Sequence, residues 1–391
     1  MVIGFSLAAF FVIASLILVL RYWLLPDIQD YKGKIESTVS RAIGERVAIG
    51  GIQADWRGIH PHLTLSDVRI IDKSGQAALT LDRIENSLSW MSFLTGEVRF
   101  SSLEIDHPTL GIRRDKSGTV YVAGIPVNQG PADSGLSDWL LHQSRILIRN
   151  GFILWEDEER DAPPLMLQQV NFALVNIRQH HLFGLQAVPP ADLSSPLDIR
   201  GNLFGNSLND LKDWRGKLYA RIDHADTSKL KIWLPSPEPL VEGKGGMRVW
   251  LDFSHEKPEA VTADLALSGV RAKLASDLPE IDMKKLHGRI GWKNLDGGFD
   301  AWTEMLSVET VSGESIPPTD FLLKSVPAQQ SHVQEGELSA NSLDLETISR
   351  LSEYFPMTPG IRKGLAEYSP KGKLEDLEVS WKGDEPESRL L

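Results

Sequence analysis

The chain has no cysteine among its 391 residues. That excludes a disulfide framework, a thiolate metal site and a cysteine nucleophile. A phosphate-binding loop is missing too. Glu242-Gly243-Lys244-Gly245-Gly246 comes nearest, but it lacks the Gly-x-x-x-x-Gly-Lys-Ser/Thr spacing and runs into a strand pattern where that motif needs a helix. The Ser-x-Gly segments do not form a nucleophile elbow. The best metal-like pairs, His180-His181 and His60-x-His62, have no evident third ligand and are expected to be polar surface. Glu156-Asp157-Glu158-Glu159-Arg160-Asp161 offers carboxylates without calcium-ligand spacing or a fixing glycine, so a solvated loop is expected. The expectation is a non-enzymatic protein with no catalytic residue, no metal and no cofactor.

A surplus of positive charge is also lacking. The net charge is −12, and residues 1–50 carry five Lys/Arg against four Asp/Glu, so the remainder carries −13. Such a body repels phosphate backbones, which argues against nucleic acid as a partner. With 24% charged and 42% hydrophobic residues, wholesale disorder is excluded.

What is present begins at the N-terminus. Val2–Leu20 is a charge-free stretch, long enough to cross ~30 Å of hydrocarbon as a helix. Arg21, Tyr22 and Trp23 follow, residues suited to the membrane interface. A cleavable signal peptide is the competing reading, but a small-x-small site should follow its apolar region, and the sequence continues Tyr22-Trp23-Leu24-Leu25-Pro26 instead. Residues 1–25 therefore read as a single-pass anchor. No Lys or Arg precedes the span and several follow it, so a literal positive-inside count would leave the body in the cytoplasm. Residues 26–44 read as one amphipathic helix, with Ile28, Tyr31, Ile35, Val39, Ala42 and Ile43 at helical spacing.

From Val47 the period becomes two. Leu63-x-Leu65, Val68-x-Ile70, Leu103-x-Ile105 and Ile146-x-Ile148 alternate with polar residues, and so do Leu197-x-Ile199 and Leu218-x-Ala220-x-Ile222. Val249-x-Leu251-x-Phe253 and Ala263-x-Leu265-x-Leu267 continue the pattern. Strands with one apolar and one wet face are implied. Turn signals stand at Asp72-Lys73-Ser74-Gly75, Asp115-Lys116-Ser117-Gly118, Asn150-Gly151 and Asp296-Gly297-Gly298. Without long helices between strands, antiparallel meanders are favoured over βαβ units. Leu65-Ser66-Asp67-Val68, Phe100-Ser101-Ser102-Leu103 and Leu267-Ser268-Gly269-Val270 each break the alternation, and the apolar residues resume on the opposite parity. A bulge that bends the strand does this; a tight turn between two short strands is the alternative. Short helices are expected at 136–143, behind a Gly/Pro-rich loop, and within 345–368.

Several segments resemble the AsmA-like superfamily of Gram-negative envelope proteins, and within it the YhdP type. They are Gly50-Gly51-Ile52 through Trp56-Arg57-Gly58, Pro61-His62-Leu63-Thr64-Leu65-Ser66-Asp67-Val68, Leu94-Thr95-Gly96 and Pro108-Thr109-Leu110. Arg113-Arg114-Asp115, Leu154-Trp155-Glu156-Asp157, Asp213-Trp214-Arg215-Gly216-Lys217-Leu218-Tyr219 and Tyr368-Ser369-Pro370-Lys371-Gly372 extend the likeness along nearly the whole chain. The resemblance implies an inner-membrane anchor with the body in the periplasm, and a longer protein that continues past Leu391. It also implies a mainly β fold: an elongated, curved antiparallel sheet with a few short helices, whose apolar groove carries phospholipid toward the outer membrane. The β region then divides into an N-terminal part, 45–130, and a continuing groove region, 131–391.

About twenty strands ~4.8 Å apart would extend on the order of 90–100 Å, beyond one bilayer's ~45 Å. The lining candidates are Leu63, Leu65, Val68, Ile70, Leu103, Ile105, Leu197, Ile199, Leu218, Ile222, Val249, Leu251, Phe253, Leu265 and Leu267. Partners implied are the membrane, phospholipid acyl chains and envelope proteins. Alternation alone does not separate a groove from an ordinary sandwich core. The competing functions are an assembly factor that pairs strands of outer-membrane proteins along an open edge, and a structural envelope protein.

Overall fold

The computed structural model describes residues 11, 14–15, 17–19, 21–22, 27–43, 46–57, 60–71, 77–89, 100–122, 124–126, 135–207, 211–233, 242–274, 277–327, 334–355, 357 and 359–382. The fold is mainly β, as the alternation implies. Among the described residues no helix is long and apolar enough to cross a membrane; the expected span, residues 2–20, lies mostly outside them. The chain divides into two compact units, Met1–Ala187 with Gly205–Asp210, and Val188–Phe204 with Leu211–Leu391.

In the first unit, β1 (Arg46–Arg57), β2 (His60–Ile71), β3 (Ala77–Leu88) and β4 (Phe100–Asp106) pair antiparallel in chain order. The meander then breaks. Both β4 and β5 (Thr109–Arg114) run parallel to β8 (Arg145–Asp157), with Leu103 opposite Ile146 and Thr109 opposite Phe152. Parallel neighbours need a long crossover. Here it is the excursion through β6 (Val120–Val122), β7 (Ile125–Pro126) and α2 (Gly135–His142). The expectation of meanders alone therefore fails at this place. Antiparallel order resumes with β9 (Ala162–Ile177) and β10 (His180–Val188).

The amphipathic stripe accounts for α1 (Lys32–Ile43), preceded by a 3-10 turn at Ile28–Tyr31. Ile28, Ile35 and Val39 pack with Trp139 and Leu140 of α2 on Val47, Ile52, Leu65, Val68 and Phe100; Tyr31 points outward instead. Polar side chains tie α2 down. Gln143 accepts from the Phe100 N–H (2.8 Å), and Asn176 donates to the Leu140 and Gln143 carbonyls (3.0 and 2.7 Å).

In the second unit the strands are β11 (Leu197–Phe204), β12 (Arg215–Asp226), β13 (Glu242–Ser254), β14 (Lys257–Ala272) and β15 (Ile281–Leu295). They continue as β16 (Gly298–Thr310), β17 (Ser315–Pro327), β18 (Gln334–Asp344) and β19 (Lys373–Lys382). All nine pair antiparallel in chain order. The helices are the single turn α3 (Thr227–Leu230), α4 (Leu345–Leu351) and α5 (Pro359–Tyr368). Asp344 caps α4 by accepting from the Thr347 N–H at 2.8 Å.

Several strands change parity partway along, and the devices differ. At Ser101 a true bulge sets two residues of β4 against one of β3. At Asp67 no residue is extra: β1, β2 and β3 keep register and turn together, with Asp67 at φ 51°. Gly50 opposite leaves room, since a Cβ there would lie 2.6 Å from that of Asp67. Left-handed residues recur mid-strand at Asn150, Gln169, Gly269, Met305 and Asp376. Asn150-Gly151 is thus a crease inside β8, not the turn its sequence suggests. Asp115-Lys116-Ser117-Gly118 and Asp296-Gly297-Gly298 do connect strands, while residues 72–76 lie outside the described residues. Side chains on the next strand satisfy some of the displaced amides. The N–H groups of Asn150, Met305 and Asp320 donate to Asn171 (3.2 Å), Asp320 (2.7 Å) and Asn341 (3.1 Å).

The creases have a measurable cost. Gly269 sits at φ 57° with open space around a built Cβ, so Gly269→Ala should destabilise through backbone strain alone, by ~1–2 kcal/mol. Met305→Asn, which places a residue tolerant of φ > 0 at φ 50°, should be neutral or stabilising. Urea unfolding of both variants checks the pair; equal effects would remove the crease as a strained element.

Candidate functional site: the two faces of the second sheet

Cross-strand register sorts the second unit into two faces. On one, Leu218, Leu251, Val261, Trp292, Ala301, Leu323, Leu338 and Val379 are successive neighbours from β12 to β19. A parallel row runs through Ile199, Ala220, Val249, Ala263, Ile290, Thr303, Phe321, Ala340 and Leu377. Leu197, Ile222, Met247 and Leu265 form a shorter one, and Phe253 stands beside Gly216. None of these positions is charged. In a closed core the large members would be buried, yet Leu218, Leu251, Trp292, Leu323 and Val379 are only partly buried and Ile290 is 39% exposed.

Beyond the creases the same unit is closed. Leu267, Val270, Ala272, Ile281, Met283 and Val308 are buried with Leu351, and Tyr354 and Phe355 pack on them. Of the sequence candidates, Leu197, Ile199, Leu218, Ile222, Val249, Leu251, Phe253 and Leu265 thus stand on the uncharged face, and Leu267 lies under the helical end. In the first unit Leu63, Leu65, Val68 and Leu103 are buried in its closed core, with Ile70 and Ile105 packed against it. Val261, Trp292, Phe321, Leu323 and Leu338 escaped the sequence reading because Gly, Ala and Thr dilute the alternation around them. The Phe321-Leu322-Leu323 run hides its period altogether.

The opposite face is polar and paired. Asp198, Arg221, Arg248, Asp264, Arg289 and Glu304 are successive neighbours on β11 to β16. Two arginines meet in that row, but Arg221 is held by Asp223 (2.8 and 2.9 Å), and the positive charge of Arg248 acts on Asp223 and Asp264. Arg289 binds Asp264 at 2.6 and 3.2 Å and Glu304 at 3.1 Å, and Lys217 binds Asp252 at 2.8 Å. The Arg289 hydrogen bonds hold the Asp264 carboxylate below its ordinary range, its charge and that of Arg248 adding to them, against partial desolvation.

The histidines and the acidic segment depart from expectation. His62 and His181 are 2% exposed, not surface. His62 Nδ1 lies 3.3 Å from Ser87 Oγ; His181 lies between Asn176 Oδ1 (2.7 Å) and the Gly205 carbonyl (3.2 Å). Burial, with the charge of His180 adding to it, pushes His181 down despite the Gly205 carbonyl. In the acidic segment Asp157 is buried against Arg114, which also reaches Glu159 at 3.0 Å, while Arg113 holds Glu158 at 3.1 Å. These carboxylates clamp the β8–β9 connection to β5.

A model of the YhdP protein family matches residues 2–390, and the chain belongs to that family. No curated protein and no solved structure matches it.

The charge ladder has a pH signature. A folded-state pKa below the unfolded value of about 4 stabilises the fold above that pH, and the contribution is lost as pH falls through the folded-state value. Asp264 followed by carbon-detected NMR should titrate below ordinary aspartates in the wild type and return toward them in Arg289→Leu. Identical midpoints would mean the pair is not formed in solution.

Proposed function

We propose that this member of the YhdP family is a non-enzymatic protein of the cell envelope, anchored in the inner membrane with its body in the periplasm. Its uncharged sheet face is proposed to serve as part of a groove that conducts phospholipid between the membranes. The observation that carries this reading is the combination, across successive strands of the second unit, of no charge and incomplete burial. An acyl chain needs continuous apolar contact, worth ~0.8 kcal/mol per buried CH₂. It needs no fixed geometry, so a row of half-covered side chains suffices. An ordinary core would cover its leucines, and a scaffold that adds strands at an edge would not need an uncharged face many strands wide.

Family membership supports the envelope location, and the charge-free Val2–Leu20 stretch supports the anchor. The groove residues are then those of the uncharged face, Leu218, Leu251, Val261 and Leu323 foremost. In the first unit Leu63, Leu65, Val68 and Leu103 already have protein partners, so lipid there would have to displace packing or use other surface.

Photo-crosslinking amino acids at Leu218, Leu251 and Leu323 should capture phospholipid in cells, and those at Lys217 and Asp252 should not. Capture of protein alone would favour the assembly-factor reading; equal capture on both faces would end the groove reading. Leu251→Arg, in a full-length member of the family, should accumulate near normally. The side chain is half-accessible, so the guanidinium can reach water while the stem stays on the sheet. Its function in cells that lack their own copy should nevertheless be lost. Loss of the folded protein would return this strand to an ordinary core, and full activity would remove it from the conduit.

A further inference from the structure

The polar face of the second unit carries a feature that lipid conduction does not use. Its middle row places Tyr219, Trp250 and Trp302 on β12, β13 and β16, with Thr262 and Gly291 between them. Tyr219 and Trp250 are cross-strand partners with ring centroids 5.4 Å apart. The indole of Trp302 lies across Gly291, where an added Cβ would fall 2.1 Å from the ring. The ring is therefore laid down on β15 and pinned by backbone, and the residue stays only half-buried. The Trp302 indole thus lies over β15, while the Trp250 ring stands beside Tyr219 with the Arg289 guanidinium 5.8 Å from its centroid.

Beside Trp302 is an open depression of ≈ 320 Å³ whose lining includes the polar residues Thr303, Asp320, Ser339, Asn341, Asp376 and Glu378. Two of these side chains are fixed by the crease. Asp320 Oδ1 accepts from the Met305 N–H and Asn341 Oδ1 from the Asp320 N–H. That use orients Asp320 Oδ2 and Asn341 Nδ2 as a ready acceptor and a ready donor. Among the described residues no lysine or arginine lines the depression, and the nearby Arg289 is engaged by Asp264 and Glu304.

We infer that this row is a binding track for an uncharged polysaccharide, a chain of hexose rings laid across the strands. A pinned indole offers a flat, electron-rich face to the C–H face of a pyranose ring. Carboxylates at its rim accept from hydroxyl and acetamido donors, and charge makes those bonds strong. An anionic ligand is disfavoured by three carboxylates without a lining cation, and an acyl chain would have to desolvate them. The inference does not depend on lipid conduction, which uses the other face.

The test is titration of the full chain with tetra-N-acetylchitotetraose, followed by calorimetry and tryptophan fluorescence. Saturable binding is expected, unchanged between 0.05 and 0.5 M salt because the ligand is uncharged. Trp302→Ala should weaken it at least tenfold. Trp302→Phe, which keeps a ring over Gly291, should retain most of it, and Glu378→Gln should weaken it without altering the fold by circular dichroism. Absence of saturable binding to the folded wild type overturns the inference. So does equal affinity in Trp302→Ala or a steep loss with salt.

Discussion

The second sheet depends on one constraint: side chains alternate along a strand, so a single residue out of phase moves everything beyond it to the other face. An uncharged row across β12 to β19 exists only because each strand presents the right parity at the right rung. The strands do not keep one parity to their ends. Several change at a crease, where residues such as Gly269, Met305 and Asp376 accept a left-handed conformation. Apolar residues before and after the crease can then both face inward, as Leu267 and Val270 do in the closed end under Leu351. The strain is local, and Asp320 and Asn341 offset part of it by receiving the displaced amides.

The polar face serves the same constraint from the other side. Exposed ion pairs such as Lys217–Asp252 contribute little stability, about 0–1 kcal/mol each. Their value lies in register. A slip of one residue would turn the Asp198-to-Glu304 row onto the apolar face and strand its charges there. The ladder therefore penalises misalignment more than it rewards alignment. It also accounts for a sheet that leaves leucines half-accessible on one side yet keeps a hydrated, charged surface on the other.

Much of this was legible in the sequence. Leu218-x-Ala220-x-Ile222 and Val249-x-Leu251-x-Phe253 announce their strands and faces, and the phase breaks at Ser66-Asp67 and Ser268-Gly269 mark creases. The stripe from Ile28 to Val39 announces α1. What stayed hidden depends on tertiary partners. The parallel run of β4 and β5 beside β8 follows a crossover whose α2 packs on residues far away in sequence, and Asn150-Gly151 reads as a turn until its neighbour Asn171 is seen to hold it inside a strand. His62 and His181 look like surface because hydrophilic residues usually are; Ser87, Asn176 and the Gly205 carbonyl bury them instead. Phe321 and Leu323 take the uncharged face by register alone, since Leu322 between them is equally apolar.

The central claim is that acyl chains contact one face of the second sheet and not the other. Tryptophan stands on both: Trp292 on the uncharged face, Trp250 on the polar one. The most direct measurement is fluorescence of single-tryptophan chains purified with phospholipid brominated in its acyl chains. The account requires strong quenching of Trp292 and almost none of Trp250. Equal quenching of the two, or none at Trp292 with lipid bound, would contradict it.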